Sequence, residues 1–241
     1  MNPAVLFDLD GTLIDTPSGI VTVLREVLAE GGRTAPEADI RATVGRPLDA
    51  AFSALVGLPP DSPEVASSVA RFRLLFRERV VPGARELIFP GILDVLAGLR
   101  GTGRQLAIVT SKVETSAREI LAAAGMVNMF DVIVCHGMAP RGKPFPDLAL
   151  LAANLLGRSP EQCVVVGDSV DDVRMAVAAG MRAVGVGYGV ATPDQLGAAG
   201  ADVVVAAAAG LPAAVGSSTP GPAHEQRRLP RSSEPNEVVT R

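Results

Sequence analysis

Six short runs of aliphatic residues, at 4–7, 106–109, 132–135, 163–166, 183–186 and 203–205, constrain the fold of this chain more than any other feature. Each is three or four residues long and built mainly from Val, Ile, Leu and Ala, the pattern of strands buried on both faces. Most of the intervening segments carry helical spacing instead. In Ser116 to Ala124, for example, Ile120, Leu121 and Ala124 form one stripe that stops at Gly125. Strand and helix in alternation predict an α/β fold with a mainly parallel sheet covered on both faces.

Residues from about 15 to 88 break that rhythm. Gly19 to Ala29 and Val65 to Arg79 have helical patterns, no convincing strand appears, and Gly45-Arg46-Pro47 and Gly57-Leu58-Pro59-Pro60 punctuate the segment as loops. The expectation is a helical insertion at 15–88 within a sheet domain formed by 1–14 and 89–215. From Gly216 the composition turns to Ser, Pro, Arg and Glu, so 216–241 is expected to be a disordered tail. With 241 residues and 48% hydrophobic content the chain can bury a sizeable core, and at 3% aromatic that core is aliphatic.

A net charge of −4, with no dense Lys/Arg block before the tail, argues against nucleic-acid binding. The longest apolar stretch, Val203 to Val215, holds Gly210 and Pro212 and is too short to span a bilayer. Acids at positions 8 and 10 interrupt any targeting pattern, so no membrane partner and a cytoplasmic location are expected. Cys135 and Cys163 sit inside apolar runs and read as buried, inert thiols.

The first strand run ends in Asp8-Leu9-Asp10-Gly11-Thr12. Residues i and i+2 of an extended chain face the same side, so Asp8 and Asp10 are expected to project together, with Gly11 permitting a sharp exit. Paired hard oxygen ligands suit Mg²⁺. The competing reading is an Asp-Gly turn with Thr12 capping a helix and Asp15 three residues later. Later strands are followed by Thr110-Ser111, by Lys143-Pro144-Phe145-Pro146-Asp147 and by Gly167-Asp168-Ser169-Val170-Asp171-Asp172. All of these fall at the carboxyl edge of a parallel sheet, where ligands bind. Ser111 with Glu114 and Ser169 with Asp172 also fit capping boxes, and a capped helix start still offers N–H groups to an anion.

In this order, DxDGT, Thr, KPxPD and GDxxxD resemble the four signature motifs of the haloacid dehalogenase-like hydrolase superfamily, and through Phe89-Pro90-Gly91 before the second motif and GDSxxD as the fourth the chain most resembles its phosphoglycolate phosphatase-like group. The resemblance runs from Ala4 to about Val205. It implies a Rossmann-like parallel-sheet core with a small all-helical cap inserted after the first strand, and a phosphatase acting through an aspartyl-phosphate on a small phosphorylated metabolite such as phosphoglycolate. By the same resemblance Asp8 is the nucleophile and Asp10 the general acid and base. Thr110, Ser111 and Lys143 hold the phosphoryl group, with Leu9 also lining it. Asp8, the Asp10 carbonyl and Asp168 bind Mg²⁺, with Asp172 outside them and Asp171 less certain.

Related activities differ at particular positions. Dehalogenases resemble the chain in fold but lack the second aspartate of the first motif, Asp10 here. Phosphonoacetaldehyde hydrolases need a cap lysine, yet Lys112 and Lys143 are the only lysines in the chain. Phosphoglucomutase-like relatives usually read EDS where this chain has Gly167-Asp168-Ser169, which favours hydrolysis. A non-catalytic scaffold is the alternative outside enzymes. Arg46 is a candidate for a substrate carboxylate or second phosphate. His136 reads as a solvated loop residue, and Gly185-Val186-Gly187-Tyr188-Gly189 as a loop without the spacing of a dinucleotide fingerprint.

Overall fold

The computed structural model describes residues 2–216. Apart from Gly216, the expected disordered tail lies outside the described residues. All six apolar runs are strands: β1 (Ala4–Phe7), β2 (Leu106–Thr110), β3 (Val132–Cys135), β4 (Cys163–Gly167), β5 (Arg182–Val186) and β6 (Val203–Val205). They form one sheet in the order β3-β2-β1-β4-β5-β6, with every pair parallel. Phe7, at the end of β1, lies opposite Ile108 of β2 on one side and Val166 of β4 on the other. The chain order reverses at β1, and such a reversal opens a crevice beyond the carboxyl ends of the strands.

Between β1 and β2 come α1 (Pro17–Glu30), α2 (Glu37–Arg41), α3 (Leu48–Val56) and α4 (Pro63–Arg79), with no strand, and then α5 (Ile92–Gly101). Ser62 starts α4 by accepting the Val65 N–H at 3.3 Å, Pro63 follows it, and Arg77 and Arg79 lie in the last turn. These are the residue types that the two ends of a helix favour. Three of the scarce aromatics meet inside the insertion. The Phe52 ring meets Phe72 edge-on at 6.3 Å, and Phe72 stacks on Phe76 at 5.6 Å. The chain enters and leaves this helical block side by side, Asp15 donating its N–H to Leu87 O at 2.7 Å and Phe89 donating to Leu13 O at 3.1 Å.

The remaining helices are α6 (Glu114–Ala123), α7 (Asp147–Leu155), α8 (Val170–Ala178), α9 (Pro193–Ala199) and α10 (Leu211–Gly216). Every residue of β1, β2 and β4 is buried. Alternation along β1 divides the core: Val5 and Phe7 pack with Ile92, Leu96 and Ile120 of α5 and α6, whereas Leu6 packs with Leu148, Ala152 and Val173 of α7 and α8. The amino ends of the strands are tied by acids. Asp131, just before β3, accepts the Leu106 N–H at 2.8 Å, and Asp202, just before β6, accepts the Ala183 N–H at 2.9 Å. The carboxyl ends are left for other side chains.

Candidate active site

Five polar groups converge beyond the carboxyl ends of the three central strands and their neighbouring loop. Asp8 follows β1, Thr110 closes β2, Asp168 and Asp172 follow β4, and Lys143 arrives from the loop between β3 and α7. All five are buried, at exposures from 1% to 9%. Lys143 Nζ lies 2.5 Å from Asp8 Oδ1 and 2.5 Å from Asp172 Oδ1, so a single ammonium bridges one carboxylate just after β1 and another in the first turn of α8. Asp8, Asp168 and Asp172 each offer an oxygen within 4.8 Å of the others.

Burial dominates the electrostatics. It raises the Asp8 carboxyl well above the usual carboxylate range; Lys143 opposes this, and Asp172, Asp168 and Asp10 add to it. Burial and the Asp172 charge push Asp168 up to about 7, against the Val190 N–H and the Thr12 hydroxyl that hydrogen-bond to it. Desolvation also works against the Lys143 charge, but Asp172 and Asp8 override it and hold the ammonium above its usual range. Three buried acids face one buried base, an excess of negative charge made of hard oxygen donors. That donor set fits a divalent cation such as Mg²⁺.

Asp10 stands apart from that trio. Its carboxylate accepts the Thr16 hydroxyl and pairs with Lys112 Nζ at 3.1 Å. Any part it takes in holding a cation therefore falls to its carbonyl, as the resemblance implied. The Thr12 hydroxyl donates to Asp168 Oδ1 at 2.9 Å instead of capping a helix, and α1 begins after Thr16. Leu9 has its side chain fully buried in the core, so only its backbone can face the site.

The two expected capping boxes have different outcomes. Ser169 and Asp172 form theirs: the Ser169 hydroxyl accepts the Asp172 N–H at 3.2 Å, and Asp172 Oδ2 accepts the Ser169 N–H at 3.1 Å. The box expected at Ser111 and Glu114 does not form. Val113 precedes α6, Glu114 turns to Arg118 at 2.7 Å, and the Ser111 hydroxyl is buried with no hydrogen-bond partner among the described residues. A spare hydroxyl beside a polar site suits a ligand oxygen. Thr110 Oγ1 accepts the Lys112 N–H at 3.2 Å and so shapes the turn after β2.

The choice between Asp171 and Asp172 is a matter of helix phase. Asp172 is 1% exposed and turned into the trio, whereas Asp171 is half-buried and borders a separate groove shared with Arg46, His136 and Lys143. Arg46 is exposed and also borders a cavity of about 330 Å³ between the sheet edge and the insertion. His136 is half-buried rather than solvated, borders the same cavity, and has no partner for Nδ1 among the described residues.

Two site residues escaped the sequence reading. Lys112 reaches Asp10 and lies over the Phe76 ring of α4 at 4.3 Å, tying the acid to the insertion. Its signal was scarcity: both lysines of the chain meet at this site. Gly189 ends the glycine-rich loop after β5, and a Cβ there would collide with Asp168 and with the Gly11 carbonyl. That loop is a wall of the acid site and not an independent feature. Gly11, at φ 82°, makes the turn that a residue with a side chain resists.

A parallel α/β sheet with a helical insertion after β1, carrying this acid and lysine cluster at its switch point, defines the class. The family model for haloacid dehalogenase-like hydrolases matches residues 5–186, and the chain belongs to that family. It is 44% identical over 208 residues to a protein of Dickeya dadantii named probable phosphatase IndB, covering 85% of this chain and 90% of that protein. It is 36% identical over 213 residues to the plasmid phosphoglycolate phosphatase of Cupriavidus necator, covering 87% and 91%. A haloacid dehalogenase-like family hydrolase from Streptococcus pneumoniae superposes with a TM-score of 0.74 at 25% identity, over 88% of this chain and 98% of that one.

Proposed function

We propose that this chain is a Mg²⁺-dependent phosphomonoester hydrolase that works through an aspartyl-phosphate on Asp8 and acts on a small phosphorylated metabolite. The observation that carries the reading is Asp8 held 2.5 Å from Lys143 and grouped with Asp168 and Asp172, at the point where the strand order reverses. Asp8 has an oxygen free to attack only if something cancels its repulsion from a phosphate. Lys143 stands where it does that.

In the first step an Asp8 oxygen attacks phosphorus while the bond from phosphorus to the ester oxygen breaks. The electron pair leaves with the alcohol oxygen, which takes a proton from Asp10. In the second step a water gives its proton to Asp10 and attacks the same phosphorus; the bond to Asp8 breaks and inorganic phosphate leaves. Lys112 and the Thr16 hydroxyl orient Asp10 for both transfers. The spare Ser111 hydroxyl and the backbone after Thr110 meet the phosphoryl oxygens. Asp8, Asp168 and Asp172, with the Asp10 carbonyl, would hold Mg²⁺, which supplies positive charge against those oxygens. Positioning and charge neutralisation carry most of the acceleration, which reaches about 10²¹-fold for the slowest phosphate monoesters.

Residues 15–88 act as the cap that shields this chemistry, and two buried free thiols suit a cytoplasmic setting. Phosphoglycolate enters as a test substrate because relatives carrying that name align over most of both chains. The test is Asp8→Asn. The parent protein is expected to hydrolyse p-nitrophenyl phosphate with Mg²⁺ and to yield an acid-stable radiolabelled adduct on rapid quench; the variant does neither. Full turnover by Asp8→Asn sinks the reading.

A further inference from the structure

The cavity of about 330 Å³ begins at Asp10, Ser111 and Lys112 and ends against the insertion; Asp8 does not border it. In a monoester hydrolase the atom that Asp10 protonates is the alcohol oxygen, so the alcohol half of the substrate must extend from Asp10 into this space. The walls there are Ile20 and Leu24 of α1, Val44, and Val69, Phe72 and Phe76 of α4. All six are buried apolar residues. The volume lies in the range of roughly 300–1,000 Å³ in which sites enclose ligands much larger than a two-carbon acid.

The cations at this cavity are not arranged for a compact anion such as glycolate. Lys112 is spent on Asp10, and Arg77 pairs with Glu119 at 2.8 Å. Arg46 and Arg73 border the cavity without an ion pair among the described residues, but both are exposed to solvent. The mouth of the cavity by Asp10 is polar, with Ser111, Lys112 and His136, while the wall that the insertion supplies is apolar and the unpaired arginines are exposed to solvent. Lys112 stands over the Phe76 ring but is already paired with Asp10, so among the described residues a glycolate carboxylate meets no free buried cation at that wall.

We propose that the substrates are phosphomonoesters whose alcohol half carries an apolar ring, seated between Asp10 and the phenylalanine face of α4. The inference rests on the hydrolase reading and adds the substrate class to it. A ring fills walls that a two-carbon group leaves unpaired, and an added methylene in a fitted apolar pocket changes kcat/KM by roughly tenfold or more. Leu48, half-buried at the start of α3, borders the same space and gives a point at which to make the wall polar.

The experiment ranks kcat/KM, with Mg²⁺, for ethyl, butyl, phenethyl and cyclohexylmethyl phosphates and for phosphoglycolate. The alcohols of the four alkyl esters have similar leaving ability, so differences report binding of the alcohol half. The expected result is a rise of about tenfold or more from ethyl to phenethyl phosphate, phosphoglycolate ranking below phenethyl phosphate, and a severalfold fall in the phenethyl to ethyl ratio in Leu48→Gln. Because that readout is a ratio within one variant, partial unfolding does not imitate it. A flat or falling series, or phosphoglycolate at the top, overturns the substrate class while p-nitrophenyl phosphate turnover keeps the hydrolase reading. Failure to cleave any ester, with no adduct on Asp8, overturns both.

Discussion

Replacing Lys143 with Met removes the one buried positive charge between Asp8 and Asp172 while keeping most of the stem's volume. The Lys143 side chain is 3% exposed and its Nζ lies 2.5 Å from a carboxylate oxygen on each side, so solvent screens little of the loss. Removing one partner of a buried pair costs about 3–5 kcal/mol, and at roughly 2–4 °C per kcal/mol for a chain of this size Tm falls by about 6–20 °C. The pH dependence separates charge from packing. Asp8 and Asp168 are acids whose folded pKa values are raised, so between the ordinary carboxylate range and those raised values the folded protein holds more protons than the unfolded one. Their contribution turns less favourable as pH climbs through that window. Without Lys143 this effect grows, and the Tm loss at pH 8 is expected to exceed twice the loss at pH 5. Melts followed by circular dichroism in EDTA read it directly. At pH 8 added Mg²⁺ should return part of the loss, a cation at a hundred times its Kd being worth about 2.7 kcal/mol. A Tm change under about 2 °C at pH 8, or equal losses at both pH values, refutes the idea that one ammonium holds these acids together.

Gly189→Ala, by pushing a methyl into Asp168 and the Gly11 carbonyl, is expected to weaken Mg²⁺ activation by an order of magnitude or more, measured as the Mg²⁺ concentration for half-maximal rate; an unshifted value would show that the loop has room. Lys112→Met leaves Asp10 with the Thr16 hydroxyl alone and should lower kcat/KM by about ten- to a hundredfold, matching a charge-assisted hydrogen bond of ~1.5–3 kcal/mol. Burial pushes the thiols of Cys135 and Cys163 up to about 11, so near pH 8 only about one in a thousand is thiolate. Neither should react with a chromogenic disulfide reagent until the protein is unfolded, and rapid labelling of the native chain would contradict this.

How much of this was legible beforehand depended on the range over which each signal acts. A strand declares itself in three to five adjacent apolar residues, so β1 to β6 could be read locally, although the edge strands β3 and β6 are only partly buried and do not meet the expectation of burial on both faces. The Ser169 and Asp172 box was equally local, both partners lying within one turn of α8. Ser111 and Glu114 have the same spacing, yet Val113 became the residue before α6, because propensity at a helix start yields to where the sheet edge needs the chain. Here local chemistry allowed two answers and packing chose one.

By itself, then, the chain's amino-acid order determined the sheet, the place of the helical block and the two aspartates that open the site, since periodicity and turn chemistry are written in neighbouring residues. Tertiary structure alone decided that Lys143 would bridge Asp8 and Asp172, that Lys112 would join Asp10 to Phe76, and that Gly189 would wall Asp168. It also decided that Asp172 and not Asp171 would face the acids, and that an apolar cavity would open beside Asp10. Each of these joins segments far apart along the chain. No local pattern encodes such a meeting, because it depends on how the strands are ordered and how the helices settle against them.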